Sequence, residues 1–299
     1  MSRNIKWRRE FTGRGLVSLC GMAIVILTLA ISVFLLVRGS ETFVTFGHSV
    51  SEFLFGMTWK PADDMAGGGK VGAALFIAGS IITSMVALLI AVPFSVATAI
   101  FITKISPELG RKVIRPAVEI FAGIPSVVYG WVGLVVLVPW IQELFHLPQG
   151  QSILAASIVL SVMIYPTITS ISADAIESVN LKFLEGAYGL GATRWQVIYS
   201  VLIPAAKRGI LTAIILGLSR AFGEALAVAM VIGKMKVFPT SLLAPAHCLT
   251  AAIASDMGGA MDGGELNAAL WSMALFLFIM SFLFIVAIRL IGRKGQANA

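Results

Sequence analysis

Charge is scarce in this 299-residue chain: Asp, Glu, Lys and Arg together make up 12% of it, against 58% hydrophobic residues, and its mean hydropathy is +0.93. A soluble domain carries about 25% charged and about 45–50% apolar residues. The excess apolar surface therefore faces lipid, and no stretch between the hydrophobic segments is long enough to hold a soluble domain. Cysteine is nearly absent. Cys20 sits in an apolar run and Cys248 in a predicted loop, so no disulfide between them is expected. His48, His146 and His247 are far apart in sequence, and no Cys/His group has metal-ligand spacing, so no metal is expected. The chain also lacks a Gly-x-x-x-x-Gly-Lys-Ser/Thr loop, a His-Glu-x-x-His pair and a Gly-x-Ser-x-Gly elbow. These absences speak against a nucleotide site on this chain and against a membrane hydrolase.

Long apolar runs are what the sequence does have. A helix needs about 20 apolar residues to cross the hydrocarbon core. Six segments qualify: residues 16–37, 71–102, 117–140, 153–176, 210–232 and 270–291. The first is longer than the roughly 7–15 residues of a signal-peptide core and has no Ala-x-Ala site after it, so it reads as a retained helix. Positive charge then sets the orientation. Arg3, Lys6, Arg8, Arg9 and Arg14 precede the first span. Lys104, Arg111, Lys112 and Arg115 lie between the second and third, and Lys182, Arg194, Lys207 and Arg208 between the fourth and fifth. Arg289, Arg293 and Lys294 surround the end of the sixth. The opposite side has only Arg38, Lys60, Lys70, Lys234 and Lys236. Basic loops stay in the cytoplasm, so both termini are expected there. The net charge of +7 is thereby accounted for at the lipid bilayer, and no nucleic-acid partner is expected.

The cytoplasmic connection at about residues 177–208 is not a flexible linker. Leu181, Leu184 and Tyr188, then Trp195, Ile198 and Leu202, recur at helical spacing on either side of Gly189 and Gly191. Thr193 is placed to cap the second piece, and Pro204 is expected to break the chain before the fifth span. Two short amphipathic helices around a glycine turn would form a knob projecting from the membrane.

The fifth span carries charge. Arg220 lies ten residues beyond Ile210, about 15 Å into the span and near the bilayer midplane. A central Arg is costly in lipid and marks a bundle interior or a water-filled path. As one continuous helix, the span would place Glu224 on the same face, one turn on, where it could hold Arg220 in one state and yield it to an anionic substrate in another. Gly209, Ala213 and Gly217 form a small-residue stripe on that face, fit for close approach of another helix. A purely structural ion pair is the alternative role for the two charges. In the third span, Pro125 beside Gly123 and Ser126 allows a kink. Ser126, Tyr129, Tyr165 and Thr167, with Ser219 beside Arg220, offer hydroxyl groups to a partly dehydrated anion or to local backbone.

The knob resembles the coupling loop of binding-protein-dependent ABC permeases. The pattern falls on Glu185-Gly186-Ala187, Gly191 and Val201-Leu202-Ile203-Pro204, with Gly186, Val201 and Ile203 as departures from it. Arg220-Ala-Phe-Gly-Glu224 and the segment after it, together with Gly123-Ile-Pro-Ser-Val-Val-Tyr-Gly130, are similar to the phosphate-specific permeases. Phe238-Pro-Thr-Ser-Leu-Leu-Ala-Pro245 resembles the PstC type rather than the PstA type. The resemblance covers roughly residues 70–292. It implies an all-α, polytopic membrane protein: six transmembrane helices with a cytoplasmic coupling-helix loop, the type I ABC importer permease fold. Residues 1–70 would form the N-terminal tail, first helix and periplasmic loop, 71–292 the permease core, and 293–299 a cytoplasmic tail. The implied partners are a PstA-like second permease, a dimeric ATPase carrying ATP and Mg, and a periplasmic phosphate-binding protein, all at the bacterial inner membrane. Sulfate and molybdate permeases share this architecture. An ion-coupled secondary transporter would also bury Arg and Glu, but it leaves the knob unexplained.

Overall fold

A computed structural model describes the backbone of residues 3–296 and the side chains of residues 13–290. The expected tail end at 297–299, and the side chains of Arg3, Lys6, Arg8, Arg9, Arg293 and Lys294, lie outside what it describes. The chain is helical almost throughout: α1 (Arg3–Val44), α2 (Val50–Phe55), α3 (Ala74–Ile100), α4 (Pro107–Leu109), α5 (Arg115–Gly123), α6 (Ser126–Val132) and α7 (Val138–Leu144). There follow α8 (Ile153–Glu177), α9 (Leu181–Gly189), α10 (Arg194–Val197), α11 (Ile203–Gly223), α12 (Leu226–Val231), α13 (Leu249–Asp256) and α14 (Glu265–Gln296). Wider π-turns at Phe101–Ile105, Gly110–Ile114, Gly133–Leu137 and Ile198–Leu202 join several of them. Among the described residues six helices are long and apolar enough to span a bilayer: Gly13–Val44, Ala74–Ile105, Ser126–Leu144, Ile153–Glu177, Arg194–Gly223 and Glu265–Leu290.

The centre of the bundle is α3, α8 and α11. Its buried face is rich in small residues, among them Ala87, Ala91, Ala155, Ala156 and Ala213. Lipid tails are as apolar as Leu, so close backbone approach and dispersion, rather than water exclusion, hold such helices together. Gly217 shows the tightness of the contact: a Cβ there would sit 2.6 Å from Ile168 Cγ1 on α8. Helix α1 stands away from this centre. From Gly13 to Ile31 it is exposed, and its later turns pack against α14. There Phe34 packs edge-on against Trp271 at 5.1 Å, and Ser272 Oγ donates to the Gly39 carbonyl at 2.7 Å.

The two bundle ends have their own cores. At one end Leu184, Val197, Ile198 and Leu202 of the knob pack with Ile102, Ile176 and Val179. Arg194 donates to the Lys104 and Ile105 carbonyls, the second at 2.8 Å, and so ties the knob to the foot of α3. At the opposite end a two-stranded antiparallel ribbon pairs Trp59 with Val71, and Trp59 stacks edge-on against Phe76.

Two expectations about helix continuity are corrected. Pro204 does not break the chain: one helix runs from Arg194 to Gly223. The π-turn Ile198–Leu202 lies directly before it and widens the helix, so the proline ring and its missing N–H are accommodated in the first turn of α11. The fifth span, in turn, does not run to 232. It stops at Gly223, where Glu224 is extended (φ −76°, ψ 123°). The kink expected at Pro125 is present: α5 ends at Gly123, Ile124 is extended, and α6 restarts at Ser126.

Candidate functional site

The knob is built as its sequence indicates. Asn180 caps α9 by accepting from Lys182 N at 3.0 Å. Thr193 and Gln196 form a reciprocal capping box on α10: Thr193 Oγ1 accepts from Gln196 N, and Gln196 Oε1 accepts from Thr193 N at 2.8 Å. Gly191 turns the chain between them at φ +83°, a left-handed conformation that glycine adopts without a Cβ penalty. Glu185, Gly186 and Ala187 lie on α9, Gly191 at the turn and Pro204 at the start of α11, so the quoted pattern spans the whole knob. Its outer surface is apolar. Leu190 is 91% exposed, and Tyr188, Trp195 and Tyr199 are also exposed, the last two rings stacking 6.1 Å apart. An uncovered apolar tip of this kind is the type of surface on which another protein docks.

In the last turn of α11 stands Arg220. Its Nη1 donates to Thr167 Oγ1 on α8 at 2.9 Å, and its guanidinium is otherwise exposed in this single chain. Tyr129 on α6 lies within electrostatic reach of it. Tyr129 gives its own proton to the Phe121 carbonyl at 2.7 Å, across the break at Pro125, so its hydroxyl presents acceptor capacity outward. Tyr165, the other candidate tyrosine, donates to Thr98 Oγ1 at 2.9 Å and braces α8 against α3. Ser219 and Ser126 are half-buried, Ser126 in the first turn of α6. The structure therefore joins Arg220 and Thr167 directly and places Tyr129 nearby.

Glu224 is not brought together with Arg220. The expected shared helical face is lost because α11 ends between them. Among the described residues no ion pair joins the two. The Glu224 carboxylate instead accepts from Ala227 N at 3.1 Å and caps α12. The Glu224 carbonyl accepts from Thr250 Oγ1 at 2.7 Å. It thus sits at a helix break inside the bundle, where exposed backbone is tolerated only if it is satisfied or lines a cavity.

A second charged cluster at the end opposite the knob escaped the sequence reading. Glu265, fully buried at the start of α14, accepts from Ala62 N at 2.5 Å, from Gly68 N at 3.0 Å and from Gly69 N at 3.0 Å. His48 Nε2 approaches it at 2.7 Å, while Nδ1 faces Glu52 at 3.4 Å. Burial opposes the charged imidazole, but the hydrogen bonds to Glu265 and Glu52 outweigh it and raise the His48 pKa above its ordinary 6.5. The glycine run 67–69 thus serves as a cradle for a carboxylate about 200 residues away. His247, also at this end, is buried against Phe76, and burial lowers its pKa to about 4.

Fold and site together define a multi-pass membrane permease of the type I ABC importer architecture. Residues 91–295 match the family model described as "Binding-protein-dependent transport system inner membrane component", and the chain belongs to that family. Among curated proteins it is 47% identical over 295 residues to the "Probable ABC transporter permease protein YqgH" of Bacillus subtilis, covering 99% of this chain and 94% of that one. It is 37% identical to the "Phosphate transport system permease protein PstC" of Mesorhizobium japonicum, covering 89% of this chain and 85% of that one. Among solved structures a bacterial alginate ABC transporter matches with a TM-score of 0.61 at 15% identity, covering 96% of each chain. That likeness bears on the fold alone. Membership of the family implies a binding protein and an ATPase as partners.

Proposed function

We propose that the chain is the PstC-like membrane-spanning subunit of an ATP-driven inorganic phosphate importer. In this reading it has no nucleotide site of its own. ATP and Mg act on a dimeric ATPase that grips the knob through Leu190, Trp195 and their neighbours. A PstA-like permease completes the pathway, and a periplasmic phosphate-binding protein delivers the cargo at the end that carries His48 and Glu265. The excess of Lys and Arg at the knob end supports an orientation with both termini in the cytoplasm of the bacterial cell.

The observation that carries the reading is Arg220. Among the described residues it is the one Lys or Arg within the apolar interior of a span, it is exposed in the isolated chain, and its guanidinium is held by Thr167. A guanidinium in lipid costs at least roughly 2.5–3.5 kcal/mol on insertion scales. That cost is tolerated where a water-lined path runs between this chain and a second subunit. A planar fork of donors then suits an oxyanion with several acceptor oxygens. Phosphate is favoured over sulfate and molybdate by the Arg-Ala-Phe-Gly-Glu segment and by the phosphate transport relatives. The test is to co-express the chain with the neighbouring ATPase, permease and binding-protein genes and to compare wild type with Arg220→Gln. Uptake should collapse in R220Q while the assembled complex is recovered in normal amount. Normal phosphate uptake by a well-assembled R220Q complex contradicts the reading.

A further inference from the structure

We propose that Thr250 is a positioning residue that couples the loop at the end opposite the knob to Arg220. The proposal rests on the pathway role of Arg220 given above. It begins from the break in the fifth span. Where α11 stops at Gly223, its last carbonyls lose their helical partners, and inside a membrane each needs another. The Glu224 carbonyl finds one in Thr250 Oγ1 at 2.7 Å, a side chain 26 residues further on, in the first turn of α13. The Glu224 carboxylate holds the far side of the break by accepting from Ala227 N. The backbone of residue 224 is therefore clamped from two directions, four residues from Arg220.

Thr250 is itself held from outside the span. Its neighbour Leu249 donates its N–H to buried Ser80 Oγ on α3 at 2.9 Å. The His247 carbonyl packs directly on Gly79, where no Cβ fits. Cys248, between them, is buried within sulfur hydrogen-bond range of Thr83. Residues 247–250 thus ride on α3, while Lys236 and Asp256 on the same loop bind each other at 2.6 Å. A very small cavity of mixed lining, polar at Ser80, Thr83, Ser84 and Glu224 and apolar at Leu160 and Phe222, lies behind the clamp. A shift of the loop on α3 moves Thr250, Thr250 carries the Glu224 carbonyl, and the end of α11 turns Arg220 on Thr167.

The experiment uses the whole importer in proteoliposomes with its binding protein, comparing Thr250→Val with Thr250→Ser at matched amounts of assembled complex. V keeps the shape and removes the donor, and S keeps the donor. Phosphate uptake by the T250V complex should fall about fivefold at saturating binding protein, the effect of one neutral hydrogen bond. The binding-protein concentration giving half-maximal uptake should stay unchanged, and T250S should restore the rate. Should T250V fail to assemble, Thr250→Cys, with only a weak donor, takes its place. A T250V rate equal to wild type overturns the proposal, as does a loss that Ser does not restore. If the wild-type complex itself transports no phosphate, the proposed function fails instead, which the wild-type arm reports separately.

Discussion

Replacing Thr167 by Val probes the site without touching its charge. The substitution keeps the side-chain volume and removes the one side-chain acceptor found for Arg220 among the described residues, at 2.9 Å. Hydrogen bonds to charged groups contribute about 1.5–3 kcal/mol. Arg220 is exposed in this chain, so solvent screening reduces that to roughly 1 kcal/mol. At about 1.4 kcal/mol per decade of rate, uptake should fall roughly fivefold. The assay is the initial rate of radiolabelled phosphate uptake by proteoliposomes containing equal amounts of complex. Thr167→Ser, which retains the acceptor, should transport near the wild-type rate. In a double-mutant cycle, T167V should add no further loss to R220Q, because its acceptor then has no guanidinium to orient. Full additivity of the two losses, or a wild-type rate in T167V, refutes the idea that Thr167 acts by aiming Arg220.

Leu190→Asp puts a charge on the 91%-exposed tip of the knob, and should abolish co-purification of the ATPase while leaving the melting temperature of the permease unchanged. Gly79→Ala drives a methyl group into the His247 carbonyl. It should destabilise the chain by about 1–3 kcal/mol, read as a lower melting temperature in detergent. The two histidines act in opposite directions. Folding raises the His48 pKa, so its contribution is full below 6.5 and is lost as pH rises through the raised value. Folding lowers the His247 pKa to about 4, so stability falls as pH drops from 6.5 toward 4. Melting temperature against pH should show both flanks, and His48→Gln should flatten the upper one alone.

The six spans were legible because lipid demands continuous apolar helices, and the knob because its caps and turn are local. Asn180, Thr193, Gln196 and Gly191 each act within a few residues of themselves in sequence. The break at Pro125 was legible for the same reason. What sequence order hid was long-range or compensated. Pro204 looks like a stop, but the π-turn that absorbs it has no distinctive composition. Glu224 reads as one helical turn from Arg220 until the break at Gly223 is seen, and that break is stabilised by Thr250 in a later loop. Glu265 is an ordinary acidic helix start in sequence. Only the return of residues 62–69 and His48 to it turns it into a buried hub. The run of three glycines was the available signal, since Gly68 and Gly69 donate to Glu265 rather than within their own segment.

The most direct measurement is phosphate accumulation in vesicles bearing the complete complex, with ATP supplied on the knob side and binding protein on the other. Accumulation that requires ATP and binding protein together, and that excess sulfate leaves intact, is the predicted result. Accumulation without ATP, or equal competition by sulfate, contradicts it.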